Sequence, residues 1–141
     1  GLKVGVYFFS QAVNENEARE EAQGCWYVLN SRKLDYPIYF DSEASGGSNG
    51  RADGLGVTDR TKCAIAFCEE VKALGYQPGV YASTLWFRKR LDLSQLSQYP
   101  IWNAHYNVAS SPIPCQMWQG TCTARIPGYN GQIDVNISYM G

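Results

Sequence analysis

Two carboxylates stand two residues apart in Tyr36-Pro37-Ile38-Tyr39-Phe40-Asp41-Ser42-Glu43, at the end of a run of aromatic and branched apolar residues. Successive side chains of a strand alternate, so Tyr39, Asp41 and Glu43 share one face and Ile38 and Phe40 the other. Two acids aimed into one cleft repel each other, and one proton is then held more tightly than usual. A carboxyl kept protonated near neutral pH can give its proton to a leaving oxygen, which is what cleavage of a glycosidic bond demands. On spacing alone, a pair of solvated loop acids satisfies the pattern as well.

Other chemistry-bearing residues point less clearly. His105 is the only histidine, and alternation puts it with Asn103 on the face opposite Trp102, Ala104 and Tyr106. A Cys-His or Ser-His pair would need it in the cleft, so a packed or surface histidine is the plainer reading. The stretch Gly46 to Gly56 lacks the G-x-x-x-x-G-K-[ST] phosphate cradle. It reads as a lid or rim beside Glu43, or as a flexible surface loop. No histidine cluster accompanies the acids, so neither a metal nor a cofactor is expected. The five cysteines, Cys25, Cys63, Cys68, Cys115 and Cys122, include no C-x-x-C pair. Side chains five apart on a helix diverge, which separates Cys63 from Cys68. Cys115 and Cys122 flank a short connection and could pair, while buried free thiols are the default for the rest.

Elements that could hold the acids follow from periodicity. Lys3–Phe9 reads as a strand. From about Asn16 to Leu29, Ala18, Ala22, Cys25, Trp26 and Leu29 recur at helical steps, with Asn14 or Asn16 as N-cap. Tyr36–Asp41 is the next strand, opened by Pro37. Residues 44–57 hold five glycines and cannot be regular. A second helix spans roughly Thr58–Leu74, with Thr58 as N-cap, Ala64, Phe67, Cys68, Val71 and Leu74 on one stripe, and Gly75 as the stop. Pro78–Ser83 is a strand, Ser83–Leu96 a short helix and loop, and Ile101–Tyr106, Cys115–Gln119 and Ile133–Tyr139 are strands. Strands alternating with helices imply right-handed crossovers and a parallel sheet or barrel, whose active site lies at the C-terminal strand ends. The last three strands lack room for full helices between them, so the helical layer should be incomplete there.

The chain, residues 1–141, reads as one domain with a sizeable core. Its net charge of -1, with no like-charged block longer than Arg88-Lys89-Arg90, lacks the basic face of a nucleic-acid binder. No apolar run reaches the roughly 20 residues needed to cross a bilayer, so no membrane insertion is expected. Ten tyrosines supply faces that suit sugar rings, although strand packing explains any single one. The sequence begins at Gly1 and is inside a strand by Lys3, which we read as upstream sequence having been removed.

Gly5-Val6-Tyr7-Phe8-Phe9, Asp41-x-Glu43, Gly79-Val80-Tyr81-Ala82-Ser83 with Trp86-Phe87, Trp102-x-Ala104-x-Tyr106, Trp118-Gln119 and Asp134-x-Asn136 resemble, in order, the strand-end motifs of glycoside hydrolase family 25 muramidases. The resemblance implies an α/β fold, an incomplete TIM-like barrel of about six strands whose first two barrel strands are missing. It implies hydrolysis of the β-1,4 bond between N-acetylmuramic acid and N-acetylglucosamine in bacterial peptidoglycan, by a secreted, wall-associated or phage-encoded enzyme. Carried over motif by motif, Glu43 would be general acid and then base. Asp41 would orient the acetamido group whose carbonyl attacks the anomeric carbon, and Asp134 would face the same cleft. Tyr7, Tyr81, Trp102, Tyr106 and Trp118 would bind sugar rings. A barrel short of two strands exposes two sheet edges, so self-association or weak activity of the chain alone is expected. The alternatives are a non-catalytic peptidoglycan-binding module and a chitinase-like hydrolase.

Overall fold

The computed structural model describes residues 1–47 and 49–141. Six strands are formed among them: β1 (Val6–Phe9), β2 (Ile38–Asp41), β3 (Pro78–Ser83), β4 (Ile101–Ala104), β5 (Met117–Ala124) and β6 (Ile133–Ser138). They hydrogen-bond in chain order as a single sheet. The first five are parallel, and β6 returns antiparallel to β5. That last pairing departs from the expected parallel order. Residues 125–132 leave no room for a crossover helix, and a short connection permits only an antiparallel return.

The sheet curls into an open half-barrel. Strands spaced about 4.8 Å apart would set β1 and β4 about 14 Å apart in a flat sheet. Yet the rings of Tyr7 on β1 and Trp102 on β4 lie only 6.3 Å apart, and Tyr7 on β1 and Asn136 on β6 line one hollow. The expected incomplete α/β barrel of six strands is therefore what the chain forms. Among the described residues β1 pairs only with β2 and β6 only with β5, so both edges of the sheet are unpaired there.

Helices α1 (Glu15–Leu29) and α2 (Val57–Ala73) cover the outer face. Asn14 caps α1, its side chain accepting from the Glu17 amide, which removes one orphan donor. Ala18 and Ala22 are fully buried, and their small side chains let α1 lie close against α2. Trp26, expected on the same buried stripe, is exposed with Tyr27 and Val28, while Cys25 and Leu29 on either side of them pack against the core. The cap of α2 is Gly56, with no side-chain bond, and not Thr58. The helix starts one residue earlier than its sequence signals suggest, which places Thr58 inside the first turn. Gly75 ends the run with φ +91°, a conformation glycine adopts without strain. Two short helices, α3 (Thr84–Lys89) and α4 (Leu93–Leu96), replace a full crossover after β3.

The main core lies between sheet and helices. Ile38, Phe40, Val80, Ala82 and Ile101 project outward from the strands onto Ala64, Phe67, Cys68 and Val71 of α2, with Phe87 and Leu96 closing the end. This is the outer face, so the opposite side chains, Tyr39 and Asp41 among them, point into the half-barrel as alternation requires. All five cysteines are free. Cys115 and Cys122 do not pair, because β5 carries Cys122 along an extended strand at about 3.3 Å per residue.

Candidate active site

The inner face is built from side chains in register. Asp41 on β2 stands opposite Tyr81 on β3, which stands opposite Trp102 on β4. Trp102 is the centre of an aromatic floor, with edge contacts to Tyr81 at 4.6 Å, Tyr39 at 5.0 Å and Tyr7 at 6.3 Å. Gly79 explains how the Tyr39 ring reaches that far. The two are register partners, and a β-carbon on Gly79 would come 2.5 Å from Cε1 of Tyr39. Only a residue without a side chain leaves room for the ring to lie across β3.

Above this floor, at the C-terminal strand ends, a cleft of about 100 Å³ is lined by Tyr7, Asp41, Glu43, Tyr81, Trp102, Gln119 and Asp134. Larger grooves of 420 and 660 Å³ lie beside Trp26 on the outside of the molecule, but among their described lining residues Asp35 is the only acid.

The two acids differ in surroundings. Asp41 is 3% exposed, and its Oδ1 has no hydrogen-bond partner. Burial, then the charge of Glu43 and a hydrogen bond with it, push the Asp41 carboxyl up to about 8. At neutral pH Asp41 therefore keeps a proton and shares it with its neighbour. Glu43, beyond the end of β2, is exposed and faces the open cleft. Ser42, between them, points outward, where Nε1 of Trp86 donates to its Oγ at 2.9 Å. The guanidinium groups of Arg60 and Arg90 lie over the Trp86 ring, 4.9 and 5.5 Å from its centroid, and these cation–π contacts help to fix the indole. The strand end carrying both acids is thus held from behind.

The rim beside Glu43 is tied down at several points. Asp53 accepts from the Ser45 amide and hydroxyl. Arg51 makes a forked contact with Glu17, and the Ala52 amide donates to Gln11. The lid reading of this loop, where it falls on Ser48, lies outside the described residues.

Residues 1–129 match the model of the glycosyl hydrolases family 25. The chain belongs to that family. No curated protein matches it. Among solved structures, the modular autolysin LytC of Streptococcus pneumoniae, in complex with a synthetic peptidoglycan ligand, superposes with a TM-score of 0.83 at 24% identity, over 95% of this chain and 33% of that one. The spore cortex lytic enzyme SleM of Clostridium perfringens gives 0.76 at 19% identity, covering 95% and 48%. The bacterial lysozyme of Streptomyces coelicolor gives 0.69 at 21%, covering 94% and 67%. At these identities the likeness is one of fold. The family 25 chain spans a third of LytC and about half of SleM.

Of the residues singled out in the sequence of this family 25 chain, Glu43, Asp41, Asp134, Tyr7, Tyr81 and Trp102 line one cleft. Tyr106 stands behind it, its hydroxyl donating to Gln119 at 2.6 Å. Trp118 is not in the cleft. It is 7% exposed and its Nε1 donates to the His105 carbonyl at 2.9 Å. Alternation on β5 turns Trp118 outward and Gln119 inward, so Gln119 takes the place expected for the tryptophan. His105 also lies off the cleft, with Nδ1 2.9 Å from Thr84 Oγ1. Among the described residues no three His, Cys, Asp or Glu side chains converge on a cation-sized point, and no helix is long and apolar enough to cross a membrane.

Proposed function

We propose that this chain hydrolyses bacterial peptidoglycan, cleaving the β-1,4 bond between N-acetylmuramic acid and N-acetylglucosamine. The observation that carries this reading is the Asp41–Glu43 pair, one acid buried and protonated, the other open to an aromatic-floored cleft. Family membership supports the reaction class.

The chemistry follows from the two environments. The proton held on Asp41 passes to Glu43, which delivers it to the glycosidic oxygen as the bond breaks. The acetamido carbonyl oxygen of the muramyl sugar attacks the anomeric carbon from the other side, so no enzyme nucleophile is required. Asp41, now a carboxylate, accepts a hydrogen bond from the acetamido N–H and stabilises the positive charge that develops there. Water then opens the cyclic intermediate, with Glu43 taking its proton and restoring the pair. Tyr7, Tyr81 and Trp102 hold sugar faces, and Asp134 accepts hydrogen bonds from sugar hydroxyls on the far wall.

Residues 1–141 act as one domain in this reading, and the site of action is the cell wall, reached as a secreted, wall-associated or phage-encoded protein. Self-association fits the exposed apolar residues of the β1 edge, among them Val4, Tyr7 and Phe9, because an unpaired edge invites a second strand. Loss of turbidity of purified cell walls tests the function. Wild type should clear them and release reducing muramic acid ends, while Glu43→Gln should bind walls without clearing them. Clearing by Glu43→Gln would remove the acid assignment. Release of glucosamine-type ends alone would favour a chitinase-like enzyme, and binding without clearing by wild type would leave a binding module.

A further inference from the structure

Gln119 is 4% exposed, lines the cleft and has a side-chain orientation that its neighbours dictate. Its Oε1 accepts from the hydroxyl of Tyr81 at 2.8 Å and from that of Tyr106 at 2.6 Å. Both contacts suit O–H···O, whose distances centre on about 2.7–2.8 Å. Each phenol also has a proton to place, and burial keeps both hydroxyls protonated. The oxygen of the amide therefore faces the two tyrosines and the NH₂ group faces away from them. That NH₂ has no partner among the described residues and is not sealed from solvent.

The cleft is otherwise rich in acceptors. Asp41, Glu43 and Asp134 contribute carboxyl groups, the Trp102 N–H is already given to Asn136 Oδ1 at 2.8 Å, and the Tyr81 hydroxyl is given to Gln119. Apart from the proton of the acid pair, the donors left on the lining are the Gln119 amide and the hydroxyl of Tyr7, which is 63% exposed at the rim. Sugar hydroxyls can donate to carboxylates. A carbonyl oxygen cannot donate at all and needs a fixed N–H or O–H.

We propose that Gln119 determines specificity by donating its side-chain N–H to the acetamido carbonyl of an N-acetylated sugar in the cleft, with Tyr81 and Tyr106 locking the amide in that orientation. This rests on the hydrolase reading and adds the feature by which the cleft tells an acetylated amino sugar from a bare one. Removing the acetyl group takes away the carbonyl oxygen that this donor would meet.

The test compares two soluble glycan fragments of peptidoglycan, one fully N-acetylated and one de-N-acetylated, binding to the Glu43→Gln protein by calorimetry. Adding Gln119→Met should weaken the acetylated fragment about five- to tenfold, the scale of one net hydrogen bond, and leave the de-N-acetylated fragment unchanged. Both variants carry the same charge, so attraction of the free amine to the acids cancels in the comparison. Gln119→Glu keeps an acceptor for the two tyrosines and turns the donor into an acceptor, so it should weaken the acetylated fragment further and tighten the amine. It also serves as the informative variant if Gln119→Met does not fold. Equal weakening of both fragments would mean that Gln119 only shapes the cleft and would overturn the inference alone. Failure of Glu43→Gln to bind either fragment would overturn the hydrolase reading and this inference with it.

Discussion

Replacing Asp41 by Asn should change how stability depends on pH. In the folded chain burial and Glu43 raise the Asp41 carboxyl from 3.8 to about 8. Below about pH 4 the group is protonated in folded and unfolded chains alike and contributes nothing to the difference. Between about 4 and 8 the unfolded chain releases this proton and the folded chain keeps it, so the wild type loses stability as pH rises. Above that window the cost is constant. At about 1.4 kcal/mol per pH unit the displacement sets a ceiling of roughly 5–6 kcal/mol. Asn is close in shape to the protonated acid and does not titrate. Denaturant melts at pH 4 and pH 9 should therefore show Asp41→Asn near wild type at the lower pH and more stable, by up to that ceiling, at the higher one, with unchanged slope in denaturant. Parallel stability curves for the two proteins across this range would show that Asp41 is not held protonated by its surroundings.

Wall clearing should fall as pH rises through about 8, because the pair then loses the proton it shares; a rate profile with no alkaline limb near that pH would contradict the shared proton. Gly79→Ala should destabilise by about 1–3 kcal/mol, since its methyl meets the Tyr39 ring at 2.5 Å, and should blunt the near-ultraviolet signal of the Trp102 cluster; a neutral outcome would mean the ring moves freely. Trp86→Phe keeps the stacking on Arg60 and Arg90 but removes the donor to Ser42, so it should cost about 1 kcal/mol in thermal stability and lower kcat more than KM changes. Equal losses in Ser42→Ala, with no additional loss in the double variant, would confirm that the bond is the cause.

Much of this was legible beforehand for physical reasons that particular residues illustrate. The direction of Asp41 and Glu43 followed from the two-residue period of a strand, and the buried row of α2 from the spacing of Ala64, Phe67, Cys68 and Val71. Asn14 was readable as a cap because its side chain can satisfy an amide three residues on. The sense of β6 was overlooked, although the short stretch 125–132 held the signal. Trp118 and Gln119 show the harder limit. Alternation says that neighbours on a strand face opposite ways, yet it does not say which faces inward, and a slip of one residue exchanges them. The aromatic residue drew attention, while the amide beside it entered the cleft. Gln119 could have been found by requiring Met117, Gln119 and the strand pairing with Asp134-x-Asn136 to agree on one inner face. Contacts such as Trp86 with Ser42, 44 residues apart, depend on the pairing of β2 with β3 and leave no local pattern.

The central claim is that positions 41 and 43 act together on a glycosidic bond lying over Trp102. A structure of the Glu43→Gln protein with a peptidoglycan tetrasaccharide tests it most directly. The bridging oxygen should lie about 3 Å from the side chain at position 43, with a sugar ring against Trp102 and the acetamido group beside Asp41. A glycan seated instead in the outer groove beside Trp26, remote from both acids, would contradict it.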